Sequence, residues 1–202
     1  SVPQNRVSNL DYENMPAKER EMFVKTTGIK YRRVAPPGMK SSDLCIAAAE
    51  KVLSGLDWNR DEIEVLVFVT QSPDYLIPAT STILQDRLGL PQSCLTLDIN
   101  LGCSGYVYGL STAASLLSNM PGKKGLLLVG DVSTSTLSDA DKSVAPLFSD
   151  AGSATALEWK NGEMMHFNLQ SDGAGYDAII IPEGGMEKPF SQKSLDKKEI
   201  EP

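Results

Sequence analysis

The chain has 202 residues, 41% hydrophobic and 22% charged, enough for one sizeable core or two small ones. A net charge of -7, with no Lys/Arg stripe to offset it, speaks against nucleic acid as a partner and against a lasting grip on anionic membranes. No basic-then-apolar leader opens the sequence, its apolar runs are too short to span a bilayer, and three cysteines without paired spacing suit a reducing, cytoplasmic setting.

In chain order, Asp43 is expected to cap a helix carrying Leu44, Ala47, Ala48, Val52 and Leu56 at spacings of three and four, with its end near Gly55. Residues 64–70, EVLVFVT, form a short apolar run rich in β-branched side chains, as a buried parallel strand requires. Pro78 opens the next predicted helix, which passes through Ile83, Leu84 and Leu88 and stops near Gly89 and Pro91. A strand over 94–99 follows, then a helix starting near Cys103 or Ser104, then a strand over 125–129. Strands alternating with helices imply a mostly parallel sheet covered on both faces. Beyond it, residues 148–159, 163–170 and 177–181 are short strand candidates, expected to extend the sheet in antiparallel fashion. The polar stretch 183–202 reads as a long surface loop.

The chemistry concentrates in TLDINLGCSGYVYGLSTAASLL, residues 96–117. A predicted strand runs into Cys103, which glycines flank, and a helix of small and apolar residues follows at once. So few long polar side chains predict a helix buried nearly all round. At its N-terminus, unpaired N–H groups and the helix dipole favour a thiolate. Gly102 and Gly105 permit a sharp turn and close approach by a substrate, and the Cys103 N–H is placed to donate to an oxyanion. Cys45 and Cys94 lack such surroundings and read as structural. His166, the only histidine, sits on a strand candidate with its side chain expected toward solvent. No spacing of ligand residues suggests a metal, and neither LGCSG nor SDGAG makes a dinucleotide or phosphate loop.

Six stretches in order carry a family resemblance: TTGIKYRR (26–33), the helix and strand region 43–70, IPATSTILQDRLGL, DINLGCSGYVYGL, LLLVGDVSTSTLSDADKSVAPLFSDAGSATALE, and SDGAGYDAIIIPEGG. Together they resemble β-ketoacyl-acyl-carrier-protein synthase III and its relatives in the thiolase superfamily. The resemblance implies an α/β, thiolase-like αβαβα layered fold with a mixed, mainly parallel sheet flanked by helices. Residues 1–182 would form its N-terminal half, and 183–202 a loop leading to a C-terminal half outside this sequence. It also implies a homodimer, acyl carrier protein as partner, acyl-CoA or an acyl-carrier thioester as substrate, and no cofactor. Cys103 would be acylated and then attacked by a decarboxylating malonyl-carrier thioester. The histidine and asparagine that assist decarboxylation belong to the other half, so this piece alone is expected to be inactive.

By matching positions, Ile77 would reach toward the partner subunit's acyl pocket, Phe148 would line that pocket, and Lys142 would lie near the coenzyme A nucleotide. Ile77 and Phe148 read equally well as core residues, and Lys142 as a solvated charge. Met22 and Thr26 stand where many relatives carry a tryptophan and an arginine, and FSDAGSAT replaces FGDGAGA. The first two departures weaken coenzyme A as the primer donor and favour a carrier-bound acyl donor, or a specialised pathway outside bulk fatty-acid synthesis. Two alternatives are an acyltransferase of the superfamily with another acceptor or a polyketide-type product, and a scaffold subunit that kept the fold but not the chemistry.

Overall fold

The computed structural model describes residues 1–162 and 164–191. The chain divides into a first compact unit, Ser1–Met165, and a second that begins at His166. In the first unit, β1 (Arg6–Ser8) and β2 (Tyr31–Arg33) form a small antiparallel ribbon, with α1 (Ala17–Thr27) between them. Then come α2 (Ser41–Leu56), β3 (Ile63–Val69), α3 (Thr80–Arg87), β4 (Leu95–Ile99), α4 (Gly105–Leu117), β5 (Lys124–Asp131) and β6 (Ala151–Glu158). The main sheet has the order β4-β3-β5-β6, with β3 parallel to both of its neighbours and β6 antiparallel to β5. The predicted alternation of strands and helices is therefore present, with strand ends shifted by one or two residues.

The strands of the centre are apolar on both sides because helices cover both sides, yet the two faces differ in residue size. Leu66 and Phe68 of β3 with Leu126 and Leu128 of β5 pack against Cys45, Ala49 and Leu53 of α2 and Leu84 of α3. The intervening Val65, Val67, Val69 and Leu127 pack against Ala113 and Leu117 of α4. Alternation with period two thus sorts large residues to one layer and mostly β-branched ones to the other.

Asp43 enters α2 as its third residue, not its cap. The Lys40 N–H donates to Asp43 Oδ2 at 3.0 Å, and Arg87 reaches Oδ1 at 2.7 Å. Burial alone would push this carboxyl up, but those hydrogen bonds and the charges of Lys40 and Arg87 outweigh it and hold it below the usual range. The start of α3 is capped from another element. The Asp98 carboxylate on β4 accepts the N–H groups of Thr80 and Ser81, each at 2.7 Å. Two donors without a partner inside their own helix are thereby satisfied in a buried setting.

Two expectations are corrected. Helix α4 is not buried all round: Gly105, Gly109, Ala113 and Leu117 form its inner stripe, whereas Tyr106 and Val107 are 43% and 46% exposed. One sheet can cover only one side of a helix, and composition does not tell which sides are covered. Residues 164–170 and 177–181 form no strand, although Ile179, Ile180 and Ile181 have the composition of one. A strand exists only with a partner, and none pairs with these segments among the described residues. The ribbon of β1 and β2, conversely, has no apolar run to announce it. The loop expected over 183–202 is described as far as 191, without helix or strand, and Glu163 and 192–202 lie outside the described residues.

Candidate active site

The carboxyl ends of β3, β4 and β5 come together, on the edge of an open α/β sheet where ligands characteristically bind. Asp131, the last residue of β5, ties them. Its Oδ1 accepts from Thr70 Oγ1 (2.9 Å), Gln71 N (2.7 Å), Ser72 N (3.1 Å) and Ser72 Oγ (3.1 Å). The Thr70 N–H in turn donates to Ile99 O of β4 at 3.1 Å. Four donors on one carboxylate oxygen fix the turn after β3 with little freedom.

Cys103 lies in the turn between β4 and α4. The Gly105 N–H donates to Gly102 O at 2.8 Å and closes that turn, and Ser104 is the N-cap of the helix. Cys103 is therefore one residue outside the cap and exposed to solvent, not an inner residue of the first helical turn. Its N–H has no acceptor among the described residues.

Neither flanking glycine has a left-handed backbone; Gly105 is required for space beneath the buried Val69, whereas over Gly102 lies the movable end of the exposed Gln71 side chain. A Cβ on Gly105 would meet Val69 Cγ1 at 2.6 Å, and one on Gly102 would meet Gln71 Oε1 at 2.6 Å. Gly109, one turn on, would meet Leu127 Cδ1 and Val69 Cγ2, both at 2.7 Å. The close approach expected of a substrate is thus made by the protein itself.

The other cysteines behave as the sequence suggests. Burial pushes the thiols of Cys45 and Cys94 up to about 12, so both stay protonated and inert at neutral pH. His166 is exposed, in the second unit. Among the described residues no group of three or more His, Cys, Asp and Glu side chains could hold a metal, and no helix is long and apolar enough to cross a membrane.

Ile77 is 87% exposed on the loop between β3 and α3, beside Leu76 at 94%, so the core reading of Ile77 is wrong. This loop is nonetheless anchored: Asp74 N donates to Thr80 Oγ1 at 3.0 Å, and Ser42 Oγ donates to Asp74 Oδ2 at 2.8 Å. Phe148 is half-exposed, and its carbonyl accepts from Arg32 Nη1 at 3.4 Å. Lys142 pairs with Glu19 of α1 at 3.4 Å, an exposed pair that adds little stability. The pair does set Lys142 beside the helix that carries Met22 and Thr26, both exposed. No hydrogen bond or ion pair among the described residues joins Cys103 to Ile77, Phe148 or Lys142, and neither the groove lined by Tyr12, Arg32 and Pro37 nor the one lined by Ser41, Ser72 and Tyr75 includes any of the four.

The sequence did not disclose the polar network beneath Phe148. Arg32 Nε donates to Asn9 Oδ1 at 2.8 Å, and Asn9 Nδ2 donates to Ile29 O and Pro146 O, each at 2.9 Å. The wholly buried Asp150 accepts from Ala35 N (2.7 Å), Thr134 N (3.0 Å) and Thr134 Oγ1 (2.5 Å). Asn9, Arg32 and Asp150 read singly as surface residues; the hydrogen bonds each makes on folding are what make its burial tolerable.

The family model for 3-oxoacyl-[acyl-carrier-protein (ACP)] synthase III matches residues 97–173, the stretch from β4 and the Cys103 turn through β6. A β-ketoacyl-[acyl-carrier-protein] synthase III of Chlamydia caviae is 34% identical over 197 residues, 96% of this chain and 58% of that protein. The structure of a 3-oxoacyl-(acyl-carrier protein) synthase from Burkholderia xenovorans superposes with a TM-score of 0.86 at 39% identity, over 98% of this chain and 58% of that one. The chain is synthase III-like. Its fold is correspondingly thiolase-like, α/β with a mixed and mainly parallel sheet. OleA of Xanthomonas campestris, 21% identical with a TM-score of 0.66 over 77% of this chain and 51% of that one, shares the fold alone. The synthase III-like chain spans less than two thirds of the length of the curated relatives it matches.

Proposed function

We propose that in the whole protein Cys103 is the acyl-accepting nucleophile of a ketosynthase. The observation that carries this reading is the exposed Cys103, held between Gly102 and Gly105 at the carboxyl edge of the parallel strands, in a chain that is synthase III-like. The thiolate attacks the carbonyl of an acyl thioester, and the donor's thiolate leaves. The Cys103 N–H, which has no acceptor among the described residues, supports a role as one oxyanion donor in that step. A malonyl-carrier thioester then loses carbon dioxide, and its carbanion attacks the acyl carbonyl. The 3-oxoacyl-carrier product forms, and the cysteine thiolate is returned.

An acyl-carrier thioester is the proposed donor. Helix α1 offers Met22 and Thr26 to solvent beside Lys142, an apolar and a short polar side chain with neither the flat ring nor the fork suited to a nucleotide. Full-length protein incubated with acyl-carrier and acyl-CoA thioesters, then analysed by intact mass and peptide mapping, tests both points. The expected result is an adduct on Cys103, formed faster from the carrier. No adduct with any donor would remove the reading.

A homodimer is part of the same proposal. Among the described residues strand β4 is an open edge of the sheet, and Leu95 and Leu97 are exposed there, as is Ile77 on the neighbouring loop. An apolar free edge calls for cover, and a second copy with the same edge would supply it. Sedimentation of the full-length protein as a stable monomer at micromolar concentration would contradict this.

A further inference from the structure

We infer that Gln71 is a positioning residue for Cys103. The inference rests on the reading of Cys103 as nucleophile, but its geometry stands on its own. Residues 69 and 71 are two apart at the end of β3 and grip the cysteine turn at its two ends: Val69 lies against Gly105, and Gln71 against Gly102.

Val69 is a wholly buried core residue with other work to do, packed among Val65, Val67 and Leu127. Gln71 is exposed, and nothing in the core requires it. Its backbone is nevertheless fixed, because its N–H donates to Asp131 Oδ1 at 2.7 Å on the oxygen that also holds Thr70 and Ser72. From that fixed point the side chain folds over Gly102. Its Oε1, Cδ and Nε2 lie 2.6, 3.1 and 3.4 Å from where a Cβ on Gly102 would be. The carboxamide itself has no hydrogen-bond partner among the described residues, so the contact with Gly102 is what its conformation provides.

Gly102 is the residue that matters for the turn, since its carbonyl accepts the Gly105 N–H that closes the turn around Cys103. Covering Gly102 restricts that peptide plane, and with it the direction of the Cys103 Cα–Cβ bond. Val69 holds the Gly105 end of this turn, and at the Gly102 end the nearest side chain is that of Gln71. Small errors in the placement of a nucleophile cost rate without costing stability.

The test compares wild-type full-length protein with Gln71→Ala and Gln71→Met. Single-turnover acylation of Cys103 is measured over a range of donor concentrations, alongside iodoacetamide alkylation and thermal unfolding. Gln71→Ala is expected to lower the saturating acylation rate and the alkylation rate about fivefold or more, with the half-saturating donor concentration and Tm unchanged. Gln71→Met, which keeps the length that covers Gly102, should recover most of both rates. Wild-type rates in Gln71→Ala, or rates that fall only in step with Tm, would overturn the inference. If wild type forms no acyl adduct but its alkylation still depends on Gln71, the proposed function fails and the positioning role stands.

Discussion

Full-length protein carrying Cys103→Ala is expected to lose condensing activity by at least about a thousandfold, and to form no acyl adduct with any thioester. The sulfur is the atom that bonds to the acyl group, so no neighbour can take over its part. Folding should be untouched: Cys103 is exposed, and truncation at such a site changes stability by no more than about half a kcal/mol. Loss of activity with an unchanged Tm therefore separates chemistry from structure. The other two thiols serve as internal controls. Burial raises both Cys45 and Cys94 to about 12, so iodoacetamide at neutral pH should label Cys103 first and reach the others only after denaturation. Condensation at the wild-type rate by Cys103→Ala would defeat the assignment, whatever the labelling shows.

The largest structural effect is expected at a glycine far from the cysteine. Gly152 of β6 pairs with Gly130 of β5, and Cys45 of α2 lies over the pair. A Cβ on Gly152 would come within 2.5 Å of Cys45 N, 2.6 Å of Leu44 C and 2.7 Å of Leu44 Cβ. The first two are backbone atoms of a helix, so no rotamer change relieves the overlap, and α2 must move away from the sheet. That movement would loosen Cys45, Ala49 and Leu53 from the core. Gly152→Ala should cost about 2–4 kcal/mol, or roughly 5–15 °C in Tm. Gly55→Ala, near the end of the same helix, provides the contrast. Nothing lies within 4 Å of its would-be Cβ, and its backbone is not left-handed, so the change should stabilise by up to about 1 kcal/mol. Equal Tm values for the two variants, read from melting curves of full-length protein, would contradict this packing account.

The amino-acid sequence alone carries the βαβ framework, because EVLVFVT and GLLLVG are unbroken apolar runs and the helices between them repeat at three and four. It also singled out Cys103, since a cysteine between glycines at a strand-to-helix junction is a local pattern that needs no knowledge of what packs around it. What each glycine is for emerges only on folding. Gly102, Gly105, Gly109 and Gly152 look alike in sequence, yet Gln71, Val69, Leu127 and the α2 backbone press on them from elsewhere in the chain. Folding also decided that Asn9, Arg32 and Asp150 are buried, that Ile77 is not, and that Asp131 fixes the Gln71 backbone whose side chain lies over Gly102. The physical reason is the same throughout. Periodicity and turn chemistry act between residues a few positions apart, whereas cover and hydrogen-bond partners come from residues tens of positions away, brought together only by folding.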